Sequence, residues 1–289
     1  MQKKGILTVN SFLTGQKYED LYGFLCAAAE KYGITLDLVT SDRVVFPCGE
    51  KVISDYDFLL SWDKDLFVTK AFEEANIPVF NSSFAIGCCD DKALTALRLS
   101  ERGISAPKTV IAPKTFSNIG YCRFDFLCRI EEFLSYPIVI KQRFGSFGAQ
   151  VYLACDRAEA EKILASCGGN EVLFEEFIAE SRGKDLRINV VGDKVCGRML
   201  RSNENDFRSN ITNGGKMSNF DYFTEFDDAA IAAAKAVGAD FAGVDVLFGR
   251  DGPVICEVNA SPHFKTTYQC TGVNLAEEII AYICKKVFK

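Results

Sequence analysis

Histidine is almost missing from this chain: His263 is the single one among 289 residues. No two of the 12 cysteines form a CxxC pair. A zinc site gathers Cys and His ligands at short spacings, so this pattern gives none. Seven Pro and 22 Gly are too few for a collagenous or low-complexity chain. No apolar run approaches the ~18 residues that a membrane helix needs. Basic charge is also in deficit, with 33 Lys and Arg against 39 Asp and Glu, a net charge of −6. General nucleic-acid binding starts from a basic footprint, so the balance argues against it. It leaves room for a small anionic ligand held by a local basic patch.

The remainder is ordinary globular material, 48% hydrophobic and 25% charged. At roughly 150 residues per domain the length suggests about two domains. The cysteines fall well below the ~8–10% of a disulfide scaffold. Several sit in apolar patterns, such as Cys256 in PVICEV and Cys284 in IIAYIC. They are expected to be small buried hydrophobes in a reducing cytoplasm, with no part in the chemistry. The start, MQKKGILTVNSFLTG, reads as a first strand and not a signal peptide, because Asn10 and Ser11 interrupt its apolar segment.

The first 80 residues alternate strand and helix, with strands at 5–10, 36–40, 55–62 and 77–80 and helices at 17–32 and 64–76. That rhythm predicts a parallel sheet with helices on its faces. A helix is expected over 90–103, with Asp90 and Asp91 at its N-terminus and Gly103 at its end. YPIVIKQRFGSFGAQVYLA reads as strand, glycine-bearing loop and strand. A helix over 157–166 and the strand VLFEEFI (172–178) follow. Residues 185–201 read as a hairpin turning at Gly192-Asp193. The segment 203–216, NENDFRSNITNGGK, is polar and aperiodic, and loops of that size in compact domains are usually functional or disordered. DDAAIAAAKAVGAD is a helix, and FAGVDVLFGRDGPVICEVNAS is a second hairpin. Asn274 caps a last helix whose Leu275, Ile279, Ile283 and Val287 repeat at helical spacing.

Chemistry concentrates in four places. Asp245 lies on one strand of the second hairpin, with Glu257 and Asn259 on the other. Glu257 and Asn259 are two apart and leave the same face, which Asp245 reaches from across the hairpin. Two carboxylates and an amide oxygen suit Mg²⁺ or Mn²⁺ bound with phosphate oxygens. An acid paired with an Arg explains one of the three equally well. Lys141 ends the strand PIVIK just before GSFG, where glycines let backbone N–H groups approach an oxyanion. The loop is neither a P-loop nor GxGxxG. Lys92 follows Asp91 on a helix, where a solvated face is the ordinary reading. Residues 182–216 hold eight basic side chains against four acidic ones, inside an acidic protein. That local excess suggests an anionic ligand, although surface charge on a hairpin accounts for part of it. VLFEEFI fits an ordinary strand or a hinge offering backbone groups to an adenine. His263, being alone, is more often structural or solvent-facing than catalytic.

In order, FNSSFAIGCCDDK, IVIKQRFGSFG, VLFEEFI, GKDLRINVVGDKV, DFRSNITNGG and AGVDVLF…EVNASP, followed by TGVNLAEEII, resemble the ATP-grasp superfamily. The chain is most similar to the branch of ribosomal-protein-S6-type glutamate ligases and lysine-biosynthesis amino-acid ligases, the RimK-like branch. The match runs from about Asn81 to the C-terminus. The resemblance implies an ATP-grasp fold, α/β and α+β, in which two α+β lobes clasp ATP after a small parallel α/β domain. The expected divisions are 1–80, 81–178 with the glycine loop, and 179–289 with the metal site. It implies an ADP-forming carboxylate–amine ligase working through an acyl-phosphate, adding an amino acid such as glutamate to a peptide, protein or small amine.

Carried over, Lys92 and Lys141 contact phosphates under the loop of Gly145, Ser146 and Gly148. Glu176 and Phe177 form the adenine hinge, and Asp185 lies near the ribose. Arg208, Ser209 and Asn210 line the phosphate and acyl-phosphate region, with Arg187 a further anion contact. Asp245, Glu257 and Asn259 hold two Mg²⁺ or Mn²⁺. The implied setting is cytoplasmic, without membrane or general nucleic-acid partners, and compatible with a homo-oligomer. Two positions depart from the family pattern. Gln150 stands where another Gly is common in the glycine loop, and His263 stands where Gly usually follows EVNASP. A non-catalytic ATP-binding regulator and a phosphotransferase are the competing expectations.

Overall fold

The computed structural model describes residues 3–49, 55–146, 148–210, 214–220 and 224–288. Its first sheet is parallel, in the order β2-β1-β3-β4, from β1 (Lys3–Val9), β2 (Ile34–Thr40), β3 (Phe58–Trp62) and β4 (Val79–Phe80). Every residue of β3 is buried, as expected of a parallel strand covered on both faces. Helix α1 (Gln16–Lys31) covers one face through Leu21, Leu25 and Ala28. Helix α2 (Leu66–Glu74) covers the other, with Val68 and Phe72 against Ile6 and Leu59.

Two helices follow where the sequence predicts one. Ser82 caps α3 (Ser83–Asp90) and Asp91 caps α4 (Lys92–Glu101) through backbone N–H groups. The first was missed because its Ala85, Ile86, Cys88 and Cys89 are all buried, which removes the polar stripe that marks a surface helix. The second sheet is antiparallel, in the order β5-β8-β6-β7, from β5 (Thr109–Ile111), β6 (Ile138–Gln142), β7 (Val151–Ala154) and β8 (Val172–Glu176). Helices α5 (Leu127–Glu131) and α6 (Arg157–Cys167) share its core through Leu127, Ile130, Ala160 and Leu164.

The third sheet is antiparallel, in the order β11-β10-β9-β12-β13. Its strands are β9 (Lys184–Val191), β10 (Lys194–Ser202), β11 (Lys216–Asn219), β12 (Phe241–Gly249) and β13 (Gly252–Asn259). Side chains alternate across it with period two. Leu186, Ile188 and Val190 of β9 pack with α7 (Thr224–Ala236), together with Ile86 and Leu99 from α3 and α4. The opposite face carries Asp185, Arg187 and Asn189, then Val191, which joins Phe241, α1 and α9 (Leu275–Val287) in a core shared with the first sheet. The short α8 (Lys265–Thr271) lies between β13 and α9. Among the described residues no helix is long and apolar enough to cross a membrane. Burial of the cysteines was expected throughout, and holds for Cys88, Cys89 and Cys167, whereas Cys48, Cys122, Cys128 and Cys155 are exposed.

Asn81 joins the first and third sheets. It is fully buried, and its amide nitrogen donates to the carbonyls of Phe241 (2.9 Å) and Ala260 (2.8 Å). Its amide oxygen accepts from the Asp240 (2.6 Å) and Phe241 (3.3 Å) N–H groups. Replacing it by Ala leaves several backbone groups buried without partners, a cost of about 3 kcal/mol or more. Asn81→Ala should therefore lower the melting temperature by roughly 5–10 °C in a thermal scan.

Candidate active site

A cleft of about 890 Å³, counting its mouth open to solvent, lies between the second and third sheets. That size suits a nucleotide-sized ligand. Lys141, Gly145, Ser146, Gly148, Glu176 and Phe177 line it from the second sheet and its loops. Asp185, Asp245 and Glu257 line it from the third, with Lys92 at the start of α4 and Arg208, Ser209 and Asn210 in the loop after β10. Arg187 and Asn259 lie outside this lining. They sit one step along the same sheet face, Arg187 opposite Asp245 and Asn259 opposite Gly243. Phe147 of the glycine loop and residues 211–213 of DFRSNITNGG fall outside the described residues.

The floor of the cleft is ionic. Asp245 is 4% exposed and accepts a two-pronged bond from Arg187, through Nε and Nη2, the latter at 3.0 Å. Arg201 lies 2.9 Å from the same carboxylate and forks onto Asp185 as well. Burial alone would raise the Asp245 pKa, but the two guanidinium groups outweigh it and hold the carboxyl below its ordinary range. The sequence pointed to Arg201 only as one member of a basic stretch.

The opposite wall repeats the device. Lys141 and Glu175 are both buried and 2.6 Å apart. Burial would lower the Lys141 pKa, while its neighbours Cys256, Glu175 and Glu257 raise it on balance. Burial pushes the Cys256 thiol up to about 12, so it is neutral at pH 7, 3.6 Å from the Lys141 ammonium. The standing counter-charges are therefore the two glutamates. Cys256 was not expected here. The β12–β13 ladder pairs Asp245 with Glu257 but Val246 with Ile255, leaving Cys256 as an extra residue. Such a bulge turns two successive side chains to one side, so Cys256 and Glu257 both line the cleft. Glu175 was visible only as half of a Glu-Glu pair, and the alternation of β8 puts Glu175 inward and leaves Glu176 exposed.

Three cations hold the glycine loop. Lys92 Nζ donates to the Gly145 carbonyl at 3.1 Å and lies 3.5 Å from Glu257. Lys64 Nζ donates to Ser146 Oγ at 3.2 Å. Arg208 Nη1 donates to the carbonyls of Gly148 (2.7 Å) and Val151 (3.3 Å) while its guanidinium is gripped by Asp206. Gln150 fills space a family glycine would leave open. Its amide oxygen accepts from Ser146 N (3.3 Å) and lies 2.6 Å from where a Cβ on Gly145 would sit, so a side chain at Gly145 would displace the Gln150 amide.

Asp245, Glu257 and Asn259 share one face across two paired strands, and hard oxygen donors of that kind fit Mg²⁺ or Mn²⁺. Both Asp245 oxygens are engaged by arginine, and the Asn259 amide nitrogen donates to Gly243 O at 3.3 Å. Among the described residues no group of three His, Cys, Asp or Glu side chains gathers as a ready cage.

The sequence pattern of the RimK-like ATP-grasp domain matches residues 89–283. The chain belongs to this family. It is 37% identical over 223 residues to "Probable alpha-L-glutamate ligase 2" of Shewanella amazonensis, covering 76% of this chain and 71% of that protein. It is 33% identical over 281 residues to "Probable alpha-L-glutamate ligase" of Rhodopirellula baltica, covering 91% and 67%. A RimK domain ATP-grasp protein from Sphaerobacter thermophilus superposes with a TM-score of 0.74 at 19% identity, over 96% of this chain and 98% of that one. A D-alanine–D-alanine ligase from Bacillus anthracis, solved with ATP, superposes with a TM-score of 0.72 at 19% identity, over 98% and 96%. The ATP-grasp fold expected from the sequence is thus the fold observed. The chain is an ATP-dependent ligase that forms amide bonds, and its family works with ATP and divalent metals on a carboxylate and an amine.

The buried Asp245 gives a stability prediction. Its depressed pKa supplies stabilisation present above the unfolded value of about 3.9 and lost as pH falls through the lower folded value. Asp245→Asn leaves Arg187 and Arg201 without their shared charge, at a cost of about 3–5 kcal/mol at pH 7. Urea unfolding from pH 7 to pH 3 should show a lower but flatter stability curve for the variant, and parallel curves would contradict the assignment.

Proposed function

We propose that the cleft binds ATP between the second and third sheets, activates a carboxylate as an acyl-phosphate, and passes the acyl group to an amine, so that an amino acid such as glutamate is added to a peptide, protein or small amine. The observation that carries this reading is the convergence of Lys92, Lys141, the glycine loop and Arg208 with Asp245 and Glu257 in one cleft. Cations, backbone donors and carboxylates gathered in this way suit phosphoryl transfer, which relies on positioning and charge stabilisation.

In this reading Glu176 and Phe177 lie at the adenine, with Phe207 packed edge-on to Phe177 at 6.3 Å. Asp185 lies near the ribose. Lys92, Lys141 and the N–H groups of the loop at Gly145, Ser146 and Gly148 bind the phosphates. Arg208, Ser209 and Asn210 face the transferred phosphoryl group and the acyl-phosphate, and Arg187 takes a further anion. Asp245, Glu257 and Asn259 hold two Mg²⁺ or Mn²⁺, once Arg187 and Arg201 yield part of Asp245. Bound metal would supply neutralisation of charge on the phosphoryl oxygens.

A carboxylate oxygen then attacks the γ-phosphorus and ADP leaves. The amine attacks the acyl carbon and phosphate leaves. The lysines and arginines stabilise charge at both stages, and no enzyme nucleophile enters. The chain's contribution is positioning, preorganised charge and exclusion of water. The names of the relatives support glutamate as one component. Twelve free thiols support a reducing compartment such as the cytoplasm.

Lys141→Ala is a poor probe, because it leaves Glu175 buried without a partner. Glu257 is 30% exposed in its side chain and is the better site. With ATP, Mg²⁺ and a mixture of the twenty L-amino acids, wild-type protein should release ADP, and Glu257→Gln should release it at least about 100-fold more slowly. The melting temperature of the variant should stay within about 2 °C of wild type. Comparable ADP release by both proteins would overturn the proposed site.

A further inference from the structure

Lys92 and the glycine loop meet at the phosphate end of the cleft, yet they are packed on different sheets. Lys92 opens α4, and α4 packs through Leu99 into the core of the third sheet. Thr95 Oγ1 ties the same helix back to α3 by donating to the Cys88 carbonyl at 2.7 Å. The glycine loop instead continues β6 of the second sheet. Lys92 Nζ nevertheless reaches the Gly145 carbonyl on one side and Glu257 on the other. A lysine side chain carries about 2 kcal/mol of rotamer entropy. Holding its ammonium at one point requires a helix start that is fixed against both sheets.

Arg143 supplies that fixing from outside the cleft. It directly follows β6, two residues before Gly145. Its side chain forks onto Asp91, through Nε at 2.9 Å and through Nη2. Asp91 is 4% exposed and caps α4, its carboxylate accepting from the N–H groups of Ala93 (3.0 Å) and Leu94 (3.4 Å). Burial would raise the Asp91 pKa, but Arg143 outweighs it and keeps the carboxyl below its ordinary range. The Arg143 carbonyl accepts from the Lys92 N–H at 3.1 Å. That N–H stands at the helix start and has no partner within α4, so the bond satisfies an otherwise orphaned donor. The third arm of the guanidinium, Nη1, takes Glu171, which also lies 3.1 Å from Lys114. The Arg143 N–H donates to the Glu171 carbonyl at 2.8 Å. Neither Arg143 nor Asp91 lines the cleft.

We propose that Arg143 and Asp91 form a clasp between the two walls of the cleft, and that its task is to position Lys92 on the phosphates of ATP. The inference rests on the ligase reading given above. Arg143 acts through Lys92 and is a positioning residue. A planar guanidinium that meets both oxygens of a carboxylate fixes direction as well as distance. With the fork in place, the first turn of α4 follows the end of β6. Lys92 and the N–H groups of Gly145 and Ser146 then face a phosphate as one unit, which is the positioning that phosphoryl transfer requires. Without the fork, one backbone bond and the Lys92 ammonium itself are left to hold that register.

The test is a cycle between the clasp and Lys92. ATP with Mg²⁺ is titrated calorimetrically into wild type, Arg143→Lys, Asp91→Ser and Lys92→Met, and into the two double variants that join a clasp change to Lys92→Met. Arg143→Lys keeps a cation beside Asp91 and Glu171 but cannot fork. Its melting temperature should stay within about 2 °C of wild type, while its dissociation constant for ATP rises at least about fivefold. In the Lys92→Met background the same change should move the constant by less than about twofold, because the residue being positioned is gone. Asp91→Ser keeps a helix cap and removes the receiver of the fork, and it should repeat the pattern. Wild-type affinity in Arg143→Lys or Asp91→Ser would overturn the inference, since the fork would then not be needed. Equal losses with and without Lys92 would also overturn it, since the clasp would then act by another route. Wild-type affinity in Lys92→Met would overturn it and leave ATP binding standing. Wild-type protein that binds no ATP would overturn the ligase reading, and this inference with it.

Discussion

Asp245 sits between two guanidinium groups in a place almost closed to water, and the geometry of the cleft depends on that contact. Arg187 comes from β9, Arg201 from β10 and Asp245 from β12, so one charge cluster ties three neighbouring strands together. Arg201 also holds Asp185, which extends the cluster toward the far end of the nucleotide cleft. Buried ion pairs contribute little net stability, because desolvation offsets their attraction, yet removing one member is costly. A cluster of this sort is better understood as fixing positions. It holds Asp245 beside Glu257, and it divides the sheet face into a charged row for phosphate and a polar row beyond it.

The second sheet answers with Lys141 and Glu175, again a buried pair. The two walls therefore present preorganised charge before any ligand arrives, and little side-chain ordering remains to be done on binding. Three cations steady the glycine loop. Lys64 reaches the glycine loop from the first sheet, Lys92 from α4 and Arg208 from the loop after β10. The glycine loop is thus tied to three separate parts of the fold, which links the first sheet to the phosphate end of the site.

Much of this was legible in the sequence, and the failures have physical causes. Hairpins with Gly-Asp and Arg-Asp-Gly turns, capped helices and the parallel rhythm of the first 80 residues obey local rules. Helix α3 escaped because it is apolar on every side, while α5 and α8 are too short to show a period. The basic stretch over 182–216 divided about as charge alone suggests: Arg187, Arg201 and Arg208 meet at the site, whereas Lys194 and Lys216 form exposed pairs with Glu278 and Glu204. Which of them did so depended on strand register, which no local rule reveals. Cys256 entered the cleft through a one-residue bulge, and the partnerless atoms of Asn189 and His263 become visible only when contacts across the fold are known.

The central claim is that a carboxylate oxygen becomes bonded to the γ-phosphorus of ATP before the amide forms. Amino acids labelled with oxygen-18 in the carboxyl group test it directly. The account predicts ADP as the nucleotide product and one labelled oxygen in each phosphate released. Phosphate without label, or AMP in place of ADP, would contradict it.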